Sequence, residues 1–121
     1  MIRCGTDIIE ISRVKKVIET NENRFLNRMY TDSEILYSES KKSQKYQHYA
    51  ARFAAKEAVY KVISDKIDLE KFLWKDIEIV NEKSGKPSVK LHINVEGLKE
   101  IDISLSHCKE YAVASVVANF E

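Results

Sequence analysis

Two acidic side chains interrupt apolar patterns in this chain of 121 residues. Asp7 lies in an isoleucine-rich stretch near the start, and Glu57 lies between Phe53 and Tyr60 at helical spacing, where an apolar residue is expected. A carboxylate that is buried away from water needs a partner, because its desolvation costs roughly several kcal/mol even after the protein relaxes around it. One acid from a strand and one from a helix could supply hard oxygen ligands to Mg²⁺, which keeps several waters and uses substrate phosphates for the rest.

Each acid also has a simpler explanation. Glu57 could form a surface pair with Lys61 four residues later, an arrangement that stabilises a helix by about 0.2–0.5 kcal/mol. Asp7 could face water at a strand end or cap a turn. The residues alone leave these alternatives open.

His107 is the third candidate for chemistry. It follows Leu105 by two residues, so it should leave a strand on the same face as that apolar side chain. A structural role is the simpler interpretation of a lone histidine. Ser104 and Ser106 lie nearby, but no nucleophile elbow accompanies them, which argues against a serine nucleophile.

The other histidines and both cysteines form no recognisable site. His48 and His92 do not have zinc-ligand spacing and are interpreted as surface residues or hydrogen-bonded ones. Cys4 and Cys108 have no second pair with which to build a metal cluster. We therefore expect two free, buried thiols rather than a disulfide.

The first part of the chain predicts a strand followed by helices. Its isoleucine content indicates a strand from Met1 to Ile11. Ser12 is expected to cap an amphipathic helix that ends near residues 21–23. Thr31 and Glu34 have the spacing of a capping box, which predicts another helix.

The strongest helical pattern runs from about Lys45 to Ser64 without a glycine or proline. Five alanines supply helix propensity, and an apolar stripe is predicted on Tyr46, Tyr49, Phe53 and Tyr60. This helix carries Glu57, so it must position that carboxylate.

Two hairpins complete the prediction. Alternation around residues 77–79 and 89–91 flanks the turn sequence Ser84-Gly85-Lys86-Pro87, and residues 101–105 alternate before an apolar run at 111–118. No repeat or linker divides the chain. We predict one α+β domain over residues 1–121, with a long central helix packed on an antiparallel sheet.

Four motifs occur together in order and spacing: Gly5-Thr6-Asp7, Arg52-Phe53-Ala54-Ala55-Lys56-Glu57-Ala58, Ser84-Gly85-Lys86-Pro87 and Ser104-Leu105-Ser106-His107. In this combination the chain resembles the holo-acyl-carrier-protein synthases, which are small trimeric 4'-phosphopantetheinyl transferases. The resemblance extends from residue 2 to about residue 118.

The resemblance implies an enzyme that moves phosphopantetheine from coenzyme A to a serine of apo acyl carrier protein. It implies Mg²⁺ bound by Asp7 and Glu57, with Lys61 on a phosphate of coenzyme A. The serine would attack the β-phosphate and release adenosine 3',5'-bisphosphate. A water on the metal, or Glu57 through a water, is the expected base.

The same resemblance extends to the rest of the coenzyme A site. His107 would lie near the reacting phosphate or the adenosine phosphate, and Lys86 and Pro87 would help to bind the cofactor. One departure is that the family usually carries a Gly-Thr-Gly segment after the long helix, whereas this chain has residues 63–68 without glycine. Backbone contacts from that loop to coenzyme A are therefore in doubt, but the metal ligands are not.

Partners follow from the resemblance as well. Family members are homotrimers with active sites between subunits, and their carrier proteins are strongly acidic around the target serine. Arg13 and Lys16 share one helix face, and Arg24 and Arg28 share another, so these cations are expected to dock the carrier protein. A solvated helix face is the simpler explanation.

Composition limits the other classes of function. The chain is 44% hydrophobic and 32% charged with a net charge of +1, so no strong field for nucleic acid or membrane is expected. No long apolar run occurs, and we expect a cytoplasmic protein in fatty acid biosynthesis. The alternative from another class is a non-catalytic nucleotide- or RNA-binding α+β module, against which the absence of an aromatic-basic motif argues.

Overall fold

A computed structural model describes all residues from 1 to 121. Three helices and five strands occur in the order β1 (Ile2–Glu10), α1 (Ile11–Met29), α2 (Asp32–Glu39), α3 (Lys45–Ile63), β2 (Ile77–Asn81), β3 (Pro87–Leu91), β4 (Leu98–His107) and β5 (Tyr111–Phe120). Short 3-10 turns lie at Lys42–Gln44, Ser64–Lys66 and Trp74–Asp76. The predicted α+β class is confirmed.

Two antiparallel sheets form. The larger has the strand order β1-β5-β4, and the smaller pairs β2 with β3. Both hairpins are therefore where the turn chemistry predicts them, and Gly85 takes φ +90° between β2 and β3, a conformation that glycine adopts without strain. Asp7 stands opposite Ala114 of β5, which in turn stands opposite Leu105 of β4.

Helix α3 lies unusually close to β1. A Cβ added to Gly5 would stand 2.7 Å from the Ala58 carbonyl oxygen, so only glycine fits at that crossing. Ala54, Ala55 and Ala58 are fully buried against the sheet for the same reason. This contact brings the residue after Glu57 against the strand that carries Asp7.

The buried face of α3 differs from the predicted stripe. Of the four aromatic residues in the predicted stripe, only Tyr49 is fully buried, whereas Tyr46, Phe53 and Tyr60 are half-buried. The close approach of helix to sheet leaves room for alanine but not for rings, so the rings flank the contact. Glu57 therefore lies beside the core and not within it.

Helix α1 begins without Ser12 as its cap. Its N-cap is Glu10, and the first amide, that of Ile11, donates to the Glu110 carbonyl oxygen at 2.9 Å. The break expected near residues 21–23 appears as a kink at Asn21 (φ −141°, ψ 47°) within one helix. Leu26 and Met29 are buried beyond the kink, and this burial favours continuation of the helix past residue 23.

The capping box of α2 is confirmed, and its glutamate, Glu34, also forms a buried ion pair. The Glu34 carboxylate accepts from the amides of Thr31 (2.8 Å) and Ile79 (2.9 Å) and lies 2.8 Å from Lys56 Nζ. Both charged side chains are 0% exposed. Lys56 also donates to the Ile77 carbonyl oxygen. This pair joins α2, α3 and β2, and the sequence analysis missed it.

Glu78 supports the same junction from the opposite side of β2. Its Oε2 accepts from Thr31 Oγ1 and Ser33 Oγ at 2.6 Å, and its Oε1 lies 2.8 Å from His92 Nε2. Burial opposes ionisation, but the hydrogen bonds from Ser33, Thr31 and His92 outweigh it and lower the pKa of Glu78 to about 2. His92 is thus a hydrogen-bonded residue, as expected.

Both cysteines are free, as predicted, but neither is buried. Cys4 points away from α3 because strand residues alternate between faces and Gly5 takes the inward position. Cys108 follows β4 in an exposed turn. Among the three helices, none combines the length and apolar character that crossing a bilayer requires.

Candidate active site

Strand β1 and helix α3 bring Asp7, Glu57 and Lys61 together. Lys61 Nζ donates to the Thr6 carbonyl oxygen at 2.8 Å and lies 3.3 Å from Asp7 Oδ1. Asp7 occupies an inward position of the strand pattern, and Lys61 follows Glu57 by one helical turn. The expected surface pair between Glu57 and Lys61 is not formed, since Lys61 reaches Asp7 across the helix–strand contact.

The electrostatics of this group favour additional positive charge. Burial raises the pKa of Glu57, the Asp7 carboxylate raises it further, and Lys61 lowers it only in part. The Asp7 side chain is 22% exposed and that of Lys61 is 50% exposed, so small ligands can reach them from solvent. Two repelling carboxylates with open access are a suitable environment for a cation.

The donor set suits Mg²⁺ better than a transition metal. No group of three or more His, Cys, Asp or Glu side chains is arranged to hold an ion. Zinc takes three or four protein ligands, whereas Mg²⁺ is bound by one or two carboxylates together with waters and substrate phosphates. Asp7 and Glu57 meet the second description.

His107 does not join the Asp7–Glu57 group within one chain. Its ring lies 5.8 Å from that of His48 on α3, and the His48 ring lies 5.5 Å from Tyr37 on α2. Glu57 is nine residues beyond His48, a separation of about 13 Å along a helix. Helix α3 therefore contributes to two separate groups of candidate side chains.

The second group contains Arg52, which the sequence analysis quoted within a motif but assigned no role. Its guanidinium lies 4.2 Å from the Tyr37 ring centroid and donates to Asn81 Oδ1. Arg52 is 3% exposed, and its Nε has no hydrogen-bond partner. Burial, followed by the positive charges of Arg52, His107 and Lys41, lowers the pKa of His48 to about 4.

Sequence reasoning interpreted His48 as a surface or hydrogen-bonded residue, whereas the structure places its half-buried ring between Tyr37 and His107. His48 and Arg52 are four residues apart on α3, so they share a face. That spacing is the pattern from which the group could have been found. The sequence does not show that β4 ends beside this face of α3 and so brings His107 next to His48.

Lys86 and Pro87 lie away from both groups. Lys86 Nζ is 2.9 Å from Asp102 Oδ1. Asp102 precedes Ile103, which is buried toward α3, so by strand alternation Asp102 points to the outer face of the sheet. Pro87 opens β3 beside this pair. Within one chain these residues do not reach Asp7.

The four predicted docking cations all lie on α1. Arg13 and Lys16 precede the kink at Asn21, and Arg24 and Arg28 follow it. All four are exposed, and none forms an ion pair within the chain. The buried side of the helix carries apolar residues instead.

The chain matches a model of a known protein family. Residues 3–116 fit the family described as the 4'-phosphopantetheinyl transferase superfamily. A protein of Ruminiclostridium cellulolyticum named holo-[acyl-carrier-protein] synthase is 45% identical over 119 residues, covering 93% of this chain and 88% of that protein. A Chlamydia pneumoniae protein of the same name is 43% identical over 121 residues, covering 98% of this chain and 97% of the other.

Solved structures agree in fold. The Bacillus anthracis holo-(acyl-carrier-protein) synthase in complex with CoA (3',5'-ADP) is 35% identical, with a TM-score of 0.80 over 98% of this chain and 96% of that one. The Helicobacter pylori holo-[acyl-carrier-protein] synthase in complex with coenzyme A is 27% identical, with a TM-score of 0.81 over 97% of this chain and 100% of the other.

Proposed function

The chain belongs to the 4'-phosphopantetheinyl transferase superfamily, and we infer that it is a holo-[acyl-carrier-protein] synthase. It transfers 4'-phosphopantetheine from coenzyme A to a serine of apo acyl carrier protein. The observation that carries this inference is the meeting of Asp7, Glu57 and Lys61 in a chain whose relatives carry that name over nearly their whole length. A non-catalytic binding module is not favoured.

The reaction is a displacement at phosphorus. The serine Oγ of the carrier protein attacks the β-phosphorus of coenzyme A, and the bond from that phosphorus to the oxygen bridging the diphosphate breaks. Adenosine 3',5'-bisphosphate leaves with the bridging oxygen. The serine proton must be taken up, and Glu57, acting through a water molecule, is our proposed base because its raised pKa improves proton acceptance near neutral pH.

We propose that Asp7 and Glu57 hold Mg²⁺. The bound ion would supply positive charge against the diphosphate. Lys61 adds a point charge beside the same group, since its ammonium lies 3.3 Å from Asp7 Oδ1 and its side chain is half exposed. The lysine thereby stabilises charge that develops on the leaving phosphate.

The second group suits the other phosphate of coenzyme A. Arg52 is buried with an unpartnered Nε, and His107 lies close to His48 at an exposed strand end. A guanidinium and an imidazole N–H are donors that bind phosphate oxygens. We therefore propose that His107 contacts the adenosine 3'-phosphate. Arg52 would assist it there.

A homotrimer would bring these separated groups into one site. The outer face of the larger sheet carries exposed apolar side chains, with Ile2 74% and Ile8 63% exposed. Covering such a patch by a second copy is favourable. Lys86 and Pro87 lie beside this face, so we propose that they bind coenzyme A held mainly by the neighbouring chain.

We propose that the protein works in the cytoplasm, in fatty acid biosynthesis. Cys4 and Cys108 are exposed and unpaired, which is usual where thiols are kept reduced. The function itself is tested by incubating the protein with coenzyme A, magnesium and apo carrier protein. Intact-mass spectrometry should find one phosphopantetheine added to the carrier protein, and its persistent absence would reject the function.

A further inference from the structure

A groove of about 370 Å³ lies beside the end of α1 and is not part of the site described above. It is lined by Asn27, Arg28, Phe72, Leu73, Trp74 and Lys75. One wall comes from the last turns of α1, and the other comes from the segment that leads into the 3-10 turn Trp74–Asp76. No function assigned so far uses this segment.

The apolar part of the groove is a packed aromatic group. The ring centroids of Tyr60 and Phe72 lie 5.2 Å apart, those of Tyr60 and Trp74 lie 5.3 Å apart, and those of Phe72 and Trp74 lie 5.2 Å apart. Such contacts restrain all three rings. Because Tyr60 belongs to α3 and lies one turn after Glu57, the groove is anchored to the helix that carries the active site.

Backbone contacts hold the segment in place as well. The Leu73 amide donates to Asp76 Oδ2 at 2.8 Å, and the Asp76 amide donates to the Leu73 carbonyl oxygen at 2.8 Å. Lys56 Nζ donates to the Trp74 carbonyl oxygen at 3.3 Å. A surface that is already ordered loses little entropy when a partner binds to it.

The exposed rim combines an apolar side chain with unpaired cations. Leu73 is 65% exposed at the groove. Arg28 and Lys75 line it, neither forms an ion pair, and no acidic residue lines it. Arg28 is also the last of the four docking cations on α1, so the groove continues that surface. Its occupant should therefore be acidic with an exposed apolar side chain.

We propose that this groove seats an apolar side chain of the acidic carrier protein, so that the docking surface extends from α1 across Leu73, Trp74 and Lys75. This proposal rests on the proposed function, because that function supplies the acidic partner. Docking here would hold the carrier protein beside the turn of α3 that bears Glu57 and Lys61. The groove would thus help to bring the target serine toward the reacting phosphate.

The kinetic test uses Leu73→Ser and Lys75→Glu as separate variants. Each should raise the KM for apo carrier protein by about fivefold or more, because a seated side chain or a rim charge is lost, while the KM for coenzyme A stays within about twofold. Leu36→Ser is the matched control for the leucine, since Leu36 is 75% exposed on α2. Lys90→Glu is the control for the lysine and changes an exposed cation on β3.

A binding test uses Trp74, which is the only tryptophan of the chain. A tryptophan-free carrier protein with alanine at its target serine should change the Trp74 emission saturably, with or without coenzyme A present. Leu73→Ser should weaken that titration by the same factor as it raises KM. Coenzyme A alone should leave the emission unchanged.

Three results would overturn the proposal. If coenzyme A alone shifted Trp74 emission and Leu73→Ser raised the KM for coenzyme A, the groove would hold the pantetheine arm. If Leu73→Ser changed the oligomeric state, the groove would bind a second copy. If neither variant affected the carrier protein while wild-type transfer proceeded, docking would not use the groove. A wild-type protein that transfers nothing would instead refute the proposed function.

Discussion

Asp7, Glu57 and Lys61 together carry two negative charges and one positive charge in a small, half-exposed space. Lys61 is 3.3 Å from Asp7, yet burial and Asp7 still raise the pKa of Glu57. One ammonium therefore does not satisfy both carboxylates. A dication would change the net charge of the group from −1 to +1 and so favour the approach of a diphosphate, which is why these charges should matter more than the side-chain shapes.

Removing either charge should remove most of the transfer activity. Asp7→Asn and Glu57→Gln keep an oxygen in place but lose the charge that would hold Mg²⁺, so turnover in the mass-gain assay should fall by at least about a hundredfold. Chelation of wild-type protein should cause a similar loss that added magnesium or manganese reverses. Glu96→Gln, at an exposed loop position, is the control. Near-normal rates for either variant at ordinary magnesium would contradict the metal assignment.

Lys61 should matter more for turnover than for affinity. Its ammonium faces charge that grows as the diphosphate bridge breaks, so Lys61→Met should lower kcat more than it raises the KM for coenzyme A. Steady-state kinetics with varied coenzyme A separate the two effects. A change confined to KM would mean that Lys61 binds ground state and transition state equally, and the catalytic role would be withdrawn.

Among the elements, the junction of α2, α3 and β2 depends on a buried ion pair. Glu34 receives two backbone amides and the Lys56 ammonium, and Lys56 also binds the Ile77 carbonyl oxygen. Both side chains are 0% exposed, so either one left alone would be an uncompensated buried charge. Lys56 is adjacent to Glu57 in the chain. The pair therefore stabilises the helix that positions the Glu57 carboxylate.

Breaking this pair from one side should be costly. Lys56→Met or Glu34→Gln alone should lower the free energy of unfolding by roughly 3–5 kcal/mol, and the double variant should lose clearly less than the sum. Urea unfolding of the four proteins completes the cycle. Additive losses would mean that the two side chains act independently. Lys45→Met, which removes a partly exposed partner of Glu39, should cost about 1 kcal/mol or less.

The parts that sequence reasoning predicted are those with local causes. The capping box at Thr31 and Glu34, the glycine turn at residues 84–87 and the uninterrupted pattern of α3 each depend on neighbours in the chain. Asp7 and Glu57 were singled out because each carboxylate interrupts a local apolar pattern, and the structure brings them close enough to influence each other's charge. Their role as metal ligands stays a prediction.

The parts that were missed depend on contacts between distant segments. Lys56 and Glu34 are 22 residues apart, and His107 meets His48 only because β4 ends beside α3. The Cys4 side chain points away from α3 because the neighbouring Gly5 must face that helix at the close crossing. No pattern along the chain carries these facts, since each is fixed when helix and sheet pack.

For the molecule as a whole, the proposed assembly and the proposed docking of the carrier protein would use different surfaces. The outer sheet face is apolar around Ile2 and Ile8, whereas α1 is basic and unpaired. One surface favours a copy of the same chain, and the other favours an acidic partner. The oligomeric state and the KM for carrier protein should therefore respond to different substitutions.

The sheet face should control the oligomeric state. Ile8→Asp puts a charge where a second chain would cover an apolar side chain, so sedimentation should change from trimer to monomer. Transfer should fall with it, because Lys86 and His107 would no longer complete a neighbouring site. Leu36→Asp, at an exposed leucine of α2, should sediment as wild type. A monomeric wild-type protein with full activity would refute this assembly.

The basic stripe of α1 should control encounter with the carrier protein. Reversing Arg13 and Arg24 to Glu should raise the KM for carrier protein and flatten its salt dependence, because exposed charges act within a Debye length of about 8 Å. Coenzyme A binding should stay within about twofold, under roughly 0.5 kcal/mol. Lys90→Glu with Lys99→Glu is the charge-matched control. If both substrates weakened equally, or neither did, docking would lie elsewhere.

The crossing of Gly5 with Ala58 makes this enzyme vulnerable at a residue that carries no functional group. Gly5 precedes Asp7 by two positions, and Ala58 follows Glu57 directly, so the close approach of strand and helix at this crossing also sets the spacing of the two carboxylates. A single methyl group there would push the strand and helix apart and move Asp7 and Glu57 away from each other. Natural variation at Gly5 should thus be as restricted as at Asp7 itself, for reasons of spacing instead of chemistry.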